Sequence, residues 1–208
     1  MTNARPSVAQ ILHRAARVGR ALRDEARATA AVEAALILPI ALTMFALLIY
    51  GAEAFAIQRK VTLPARTVTD LVTQAAPTQM SSGASVVVHA TIDSDLCAAS
   101  AVITPYDSTK LTMVISEVLV NSDQATAVVK WSQPYNGVTA RASSSTITLP
   151  TGLGTGQAGT FLVLGEVAYN YTPLNIFTPA TALTLHDAIY LTPRQSTSIS
   201  CTDCTTHS

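Results

Sequence analysis

Between Glu33 and Glu53 the chain runs for nineteen residues, Ala34 to Ala52, without a single charge. As a helix rising 1.5 Å per residue, that stretch is roughly 28 Å long, close to the ~30 Å hydrocarbon core of a bilayer. Nothing else in the 208 residues is comparable, so the run predicts one membrane-spanning helix and divides the sequence into a part before it and a part after it. A cleaved secretory signal is the competing reading, and Ala52-Glu53-Ala54 has the small-x-small form of a cleavage site. The segment ahead of the run is far too long for a signal's basic region, and the run itself exceeds the usual apolar length.

Charge supplies an orientation. From Met1 to Arg27, six arginines stand against Asp24 and Glu25, a side-chain charge of +4; from Val61 to Ser208, five bases face nine acids, a charge of −4. A neutral total therefore hides a basic head and an acidic body. That division argues for two compartments rather than for nucleic acid as a partner. Arginine-rich flanks stay on the cytoplasmic side of a membrane, which predicts a single-pass protein with its N-terminus inside and the residues after about 60 outside. Arg59 and Lys60 dilute the asymmetry without reversing it.

Residues 8–27 place Val8, Ile11, Leu12, Ala15, Val18 and Leu22 at helical spacing among the arginines. This pattern suits a basic amphipathic helix lying on an anionic leaflet, or equally a solvated leader with no specific partner. Beyond Glu53 the helical period continues through Ile57, Val61, Val68, Leu71 and Val72, interrupted by Pro64, which predicts a long helix to about Gln74. After residue 84 the texture turns to short, alternating segments separated by Pro, Gly and Asn, including "SVVVHATI", "STITLP", "TFLVLGEVAYNY", "ALTLHDAIYL" and "TSIS". "KLTMVISEVLVNSDQATAVVKWSQPYNG" reads as two strands around a turn at Asn121–Asp123. Short links imply mostly antiparallel pairing of five to seven strands, with "DSDLCAASAVIT" as a short helix. The expected fold class is α+β: a long N-terminal transmembrane helix followed by a small, mostly antiparallel β-rich domain. The expected divisions are a basic leader (1–28), a spanning and extended helix (29–76) and the outer domain (77–208).

Motifs with catalytic or cofactor chemistry are weak throughout. "GTGQAG", Gly154 to Gly159, is a literal G-x-G-x-x-G, but a dinucleotide fingerprint needs a helix after it and a strand-like segment follows instead. Asp93 and Asp95 read as turn residues, and the four histidines show no metal-ligand spacing. The three cysteines, Cys97, Cys201 and Cys204, all fall on the outer side, where thiols tend to oxidise. A bridge from the tail to Cys97 and a local Cys201–Cys204 bridge are both open. We expect no enzyme activity, no metal, no cofactor and no small-molecule substrate.

A basic leader, a small residue, four more residues, a glutamate and then a long apolar helix resemble the processing site of type IV prepilins. Counting back from Glu33 places the cut between Ala28 and Thr29, with alanine where that family usually has glycine. Within this superfamily the chain resembles the TadE/TadG-like proteins of the tight-adherence (Flp) pilus system. The resemblance is carried by "AVEAALILPI" at Ala31–Ile40, "ARTVTDLVTQ" at Ala65–Gln74, "PYD" at Pro105–Asp107 and "VKWS" at Val129–Ser132. It continues in "GEVAYNYTP" at Gly165–Pro173 and "YLTPR" at Tyr190–Arg194.

The resemblance implies a minor pilin (pseudopilin) or pilus-assembly component, anchored in a bacterial inner membrane with its C-terminal domain in the periplasm and in some cases incorporated in the pilus. It implies a prepilin peptidase acting at Ala28–Thr29, Glu33 as the residue that sets helix register, and other minor pilins and the assembly platform as partners. The alternative function is a membrane-tethered envelope binding or adhesin domain with an uncleaved anchor.

Overall fold

A computed structural model describes residues 8–75, 84–173, 182–201 and 203–204. The first element, α1, runs as one α-helix over Val8–Thr73. It continues through Pro39 and Pro64 without a break and ends at Thr73, close to the end expected near Gln74. Two compact units divide the chain between Gly51 and Ala52. In the first, the segment from Ala28 to Gly51 is almost wholly exposed, including Leu36, Ile37, Phe45, Leu47 and Leu48. It is long and apolar enough to cross a membrane.

The second unit begins with the remaining turns of α1. Ile57, Val61, Ala65, Val68 and Val72 recur at intervals of three and four, and all are buried. Such a stripe demands a partner surface, and a curled antiparallel sheet supplies it. Its strands are β2 (Leu111–Val120), β3 (Thr126–Tyr135), β4 (Thr146–Thr148), β5 (Phe161–Tyr171) and β6 (Leu183–Leu191). Their spatial order is β4-β3-β2-β5-β6. Leu111, Met113 and Ile115 of β2, with Val163, Val167 and Tyr169 of β5, face the helix stripe in one continuous core. A second cluster, built on Val118, Val129, Ile147, Leu149 and Leu162, fills the end of the sheet near β4.

The helix lies tight against the sheet at Gly165. A Cβ there would collide with the Thr69 hydroxyl and come within 3.2 Å of the Ala65 carbonyl oxygen. The Thr69 hydroxyl itself donates to that carbonyl at 2.7 Å. Glycine is thus required by space rather than by backbone angle.

The five-stranded sheet has two edges, and both are blunted. β4 is only three residues long. Along β6, Gln58 Nε2 donates to the His186 carbonyl at 3.0 Å, and the Ala188 N–H is taken by the Asp187 carboxylate at 2.9 Å. Polar caps of this kind block edge-to-edge pairing with other chains.

The expected strand "SVVVHATI" is cut short. Only Ala84–Val87 forms a strand, β1, and the helix α2 occupies His89–Ala101. Asp93 and Asp95 therefore lie within a helix and not in a turn. The helix starts at this point because the Asp203 carboxylate reaches in from the C-terminal tail and accepts from the His89 N–H at 2.8 Å. Val88, at the N-cap position, makes no side-chain capping bond. β1 pairs in parallel with the last strand, β7 (Ser198–Cys201), as a separate two-stranded sheet. The "GTGQAG" segment is a turn-rich loop between β4 and β5, as its flanks indicated. Gly154 in it lies against the Gln124 carbonyl, where a Cβ could not fit.

Candidate functional site

Among the described residues, three places bear most on function: the start of the apolar helix, the junction of β7 with the large sheet, and a cleft on the sheet face away from α1.

At the first, Ala28, Thr29 and Glu33 are all exposed on α1. Glu33 is the last charged residue before the uncharged run, which opens at Ala34.

The second place is built around Glu117, the one acid in the apolar strand β2. A bulge between Glu117 and Val118 shifts the pairing with β3, and Glu117 is left only 2% exposed. Its Oε1 accepts the Ile199 N–H at 2.5 Å, while the Trp131 indole N–H donates to the Ile199 carbonyl at 2.5 Å. Both backbone groups of Ile199 in β7 are thus held by side chains from the large sheet. Burial pushes the Glu117 carboxyl up to about 7, against the opposing effects of the Ile199 amide, the Trp131 indole and the Lys130 charge. Sequence inspection missed this residue, although an acid inside "MVISEVLV" was its available signal.

The tail beyond β7 is closed by a disulfide between Cys201 and Cys204, the local one of the two bridges left open, and Cys97 is free and exposed on α2. Cys201, Asp203 and Cys204 are close enough together to resemble a metal-ligand group. Both thiols are committed to the disulfide, and the Asp203 carboxylate to the N-terminus of α2, so the group is a structural clasp.

The third place is an open cleft of about 370 Å³ lined by Thr112, Val114, Arg141, Glu166 and His186 among others. Arg141 meets Glu166 in a two-pronged pair, with both nitrogen–oxygen distances at 2.5 Å. The hydrogen bonds that Arg141 donates to Glu166 raise its guanidinium further above its ordinary value. The charge that could attract an anion is therefore already neutralised, and the pair ties the β3–β4 connection to β5.

These features define the class: a curled antiparallel α+β unit carried on a helix long and apolar enough to span a membrane. No protein-family model matches the chain, and neither the curated proteins nor the solved structures include a significant match to it.

Proposed function

We propose that this chain is a minor pilin (pseudopilin) or pilus-assembly component of a tight-adherence, type IV-like pilus, of the TadE/TadG-like kind. The observation that carries the reading is the pairing of two features on one helix. Glu33 stands five residues after Ala28 at the opening of an exposed, uncharged run, and the far end of the same helix forms one wall of a folded β-rich unit. The exposed run packs against neighbouring helices in the inner membrane, and the folded unit meets other minor pilins or the assembly platform in the periplasm. Function resides in these contacts and not in catalysis.

In this reading a prepilin peptidase hydrolyses the Ala28–Thr29 bond and leaves a new amine on Thr29. Glu33 then lies in the first turns of the mature helix, where a carboxylate is favoured by the positive end of the helix dipole. Pairing with the terminal amine of a neighbour offsets the cost of holding the carboxylate near hydrocarbon and fixes the stagger between helices.

The test is mass spectrometry of membrane-extracted protein co-expressed with a prepilin peptidase that demonstrably cuts an authentic prepilin. A mature chain beginning at Thr29 is expected. A chain that keeps residues 1–28 under those conditions eliminates the processed-pilin reading and leaves the unprocessed assembly component and the tethered envelope-binding domain. A Glu33→Ala variant that piliates normally removes Glu33 from the functional set.

A further inference from the structure

Among its described residues the second unit exposes four large apolar side chains: Phe55 at 61%, Leu63 at 42%, Val88 at 47% and Leu183 at 50%. Two of them, Phe55 and Leu183, belong to the same end of that unit. Phe55 lies three residues past Ala52, the last residue of the uncharged run, or about 4–5 Å along the helix. Leu183 is brought to this level by two links. Glu53 accepts a hydrogen bond from the Tyr171 hydroxyl at 2.8 Å, and Tyr171 is the cross-strand partner of Leu183 in the β5–β6 ladder. Partners on neighbouring strands stand about 5 Å apart, so Leu183 opens β6 within one strand spacing of the residue tied to Glu53.

The charges at this end follow the same pattern. The Arg59 guanidinium carbon is 4.6 Å from the Phe55 ring centroid. Lys60 donates instead to the Thr104 carbonyl at 3.1 Å and serves the fold. An exposed ring beside a guanidinium, placed just past an apolar run, has the amphipathic character of side chains that sit at a membrane surface. It also accounts for a base on the outer flank, where a charge-asymmetry rule prefers none.

We propose that Phe55, Arg59 and Leu183 form a lipid-contacting collar on the second unit, with the two apolar side chains entering the headgroup–acyl boundary and Arg59 meeting lipid phosphate. The inference rests on the membrane-anchored reading of the apolar run. A phospholipid leaflet fits better than a partner helix. A helix would use the whole stripe Phe55, Arg59 and Leu63 at i, i+4 and i+8, whereas the apolar exposure on β6 is matched only at the Phe55 level.

The experiment places a tryptophan at one position at a time in the full chain, reconstituted in vesicles of phosphatidylglycerol and phosphatidylcholine whose acyl chains are brominated just below the headgroup. Bromine quenches only a tryptophan that touches it, and the native Trp131, which is 3% exposed, provides the background from the unsubstituted protein. All four positions used are exposed, and circular dichroism confirms that each variant is folded. Phe55→Trp and Leu183→Trp should each lose most of the added emission. Leu63→Trp, about 12 Å further along the helix, should keep it. Ile49→Trp, inside the run, should be quenched in every case. Quenching at position 49 with none at 55 or 183 overturns the collar and leaves the anchor standing. Quenching at 55 but not at 183, or equal quenching at 55 and 63, also overturns it. Absence of quenching at 49 overturns the anchored reading itself.

Discussion

Replacing Glu117 with glutamine should make the stability of this protein less dependent on pH, and the size of the effect follows from where the carboxyl sits. Its pKa rises from an ordinary value of 4.5 to about 7 because burial disfavours the charged form more than Ile199, Trp131 and Lys130 favour it. The folded chain therefore holds this proton more tightly than the unfolded chain. The group's contribution is greatest below 4.5, declines as pH rises from 4.5 to about 7, and is constant above that. Each factor of ten in proton affinity corresponds to about 1.4 kcal/mol, so the decline amounts to about 3 kcal/mol.

Glutamine stays neutral at every pH and keeps an oxygen to accept the Ile199 N–H. Its amide N–H₂ replaces the second carboxyl oxygen and faces the Trp131 indole donor, which costs about 1 kcal/mol at all pH values. The difference in unfolding free energy between Glu117→Gln and the native chain should therefore shift in the variant's favour by about 3 kcal/mol from pH 4 to pH 8.5. Equilibrium denaturation of the detergent-solubilised chain measures this difference, and other titrating groups cancel between the two proteins. Trp131, the only tryptophan, is a built-in reporter because it binds the same residue of β7. Denaturation midpoints that run parallel with pH in the two proteins would refute the reasoning, because they would mean that the carboxylate keeps its water when the chain folds.

Gly165→Ala should cost about 1–3 kcal/mol, because the new methyl meets the Thr69 hydroxyl and the Ala65 carbonyl at the helix–sheet contact. Adding Thr69→Ala removes the first obstacle, so thermal denaturation of the double variant should recover part of the loss. Asp203→Ala leaves the N-terminus of α2 without its distant cap and should lower stability by about 0.5–2 kcal/mol, seen as an earlier thermal midpoint. Under non-reducing native conditions a maleimide should label one cysteine per chain. Peptide mapping should place the label on Cys97, with Cys201 and Cys204 reacting only after reduction.

The features visible in the sequence were those set by a local period or by an absence. The uncharged run needs no partner to declare itself, and β2, β3, β5 and β6 announce themselves by alternation flanked by turn residues. The helical stripe from Ile57 to Val72 already implied that the end of α1 lies on something apolar. Pro64 interrupts the apolar period but not the helix, which runs on to Thr73 near the expected end, and Pro64 itself is buried. Packing of the stripe on both sides of it outweighs the one backbone bond lost.

What stayed hidden depends on residues far apart in the chain. His89–Ile92 carries branched residues that favour a strand, but α2 begins there because a carboxylate 114 residues later satisfies its first donor. That same tail fixes the choice among cysteines. β7 pairs with β1 and delivers Cys201 close to α2, and the turn that brings Asp203 to His89 also brings Cys204 back to Cys201. Glu117 was unreadable for a related reason. Alternation along β2 assigns it to the helix-side face, yet only the arrival of Ile199 between Glu117 and Trp131 makes a buried acid tolerable there. The clasp, the disulfide and the buried carboxyl are thus one arrangement, and its common element is a four-residue strand whose importance no local pattern could signal. It follows that the segment 198–204 holds the fold together more than its short, Ser- and Thr-rich sequence indicates. Damage to the clasp should loosen α2 and β1 before it reaches the contact between α1 and the five-stranded sheet.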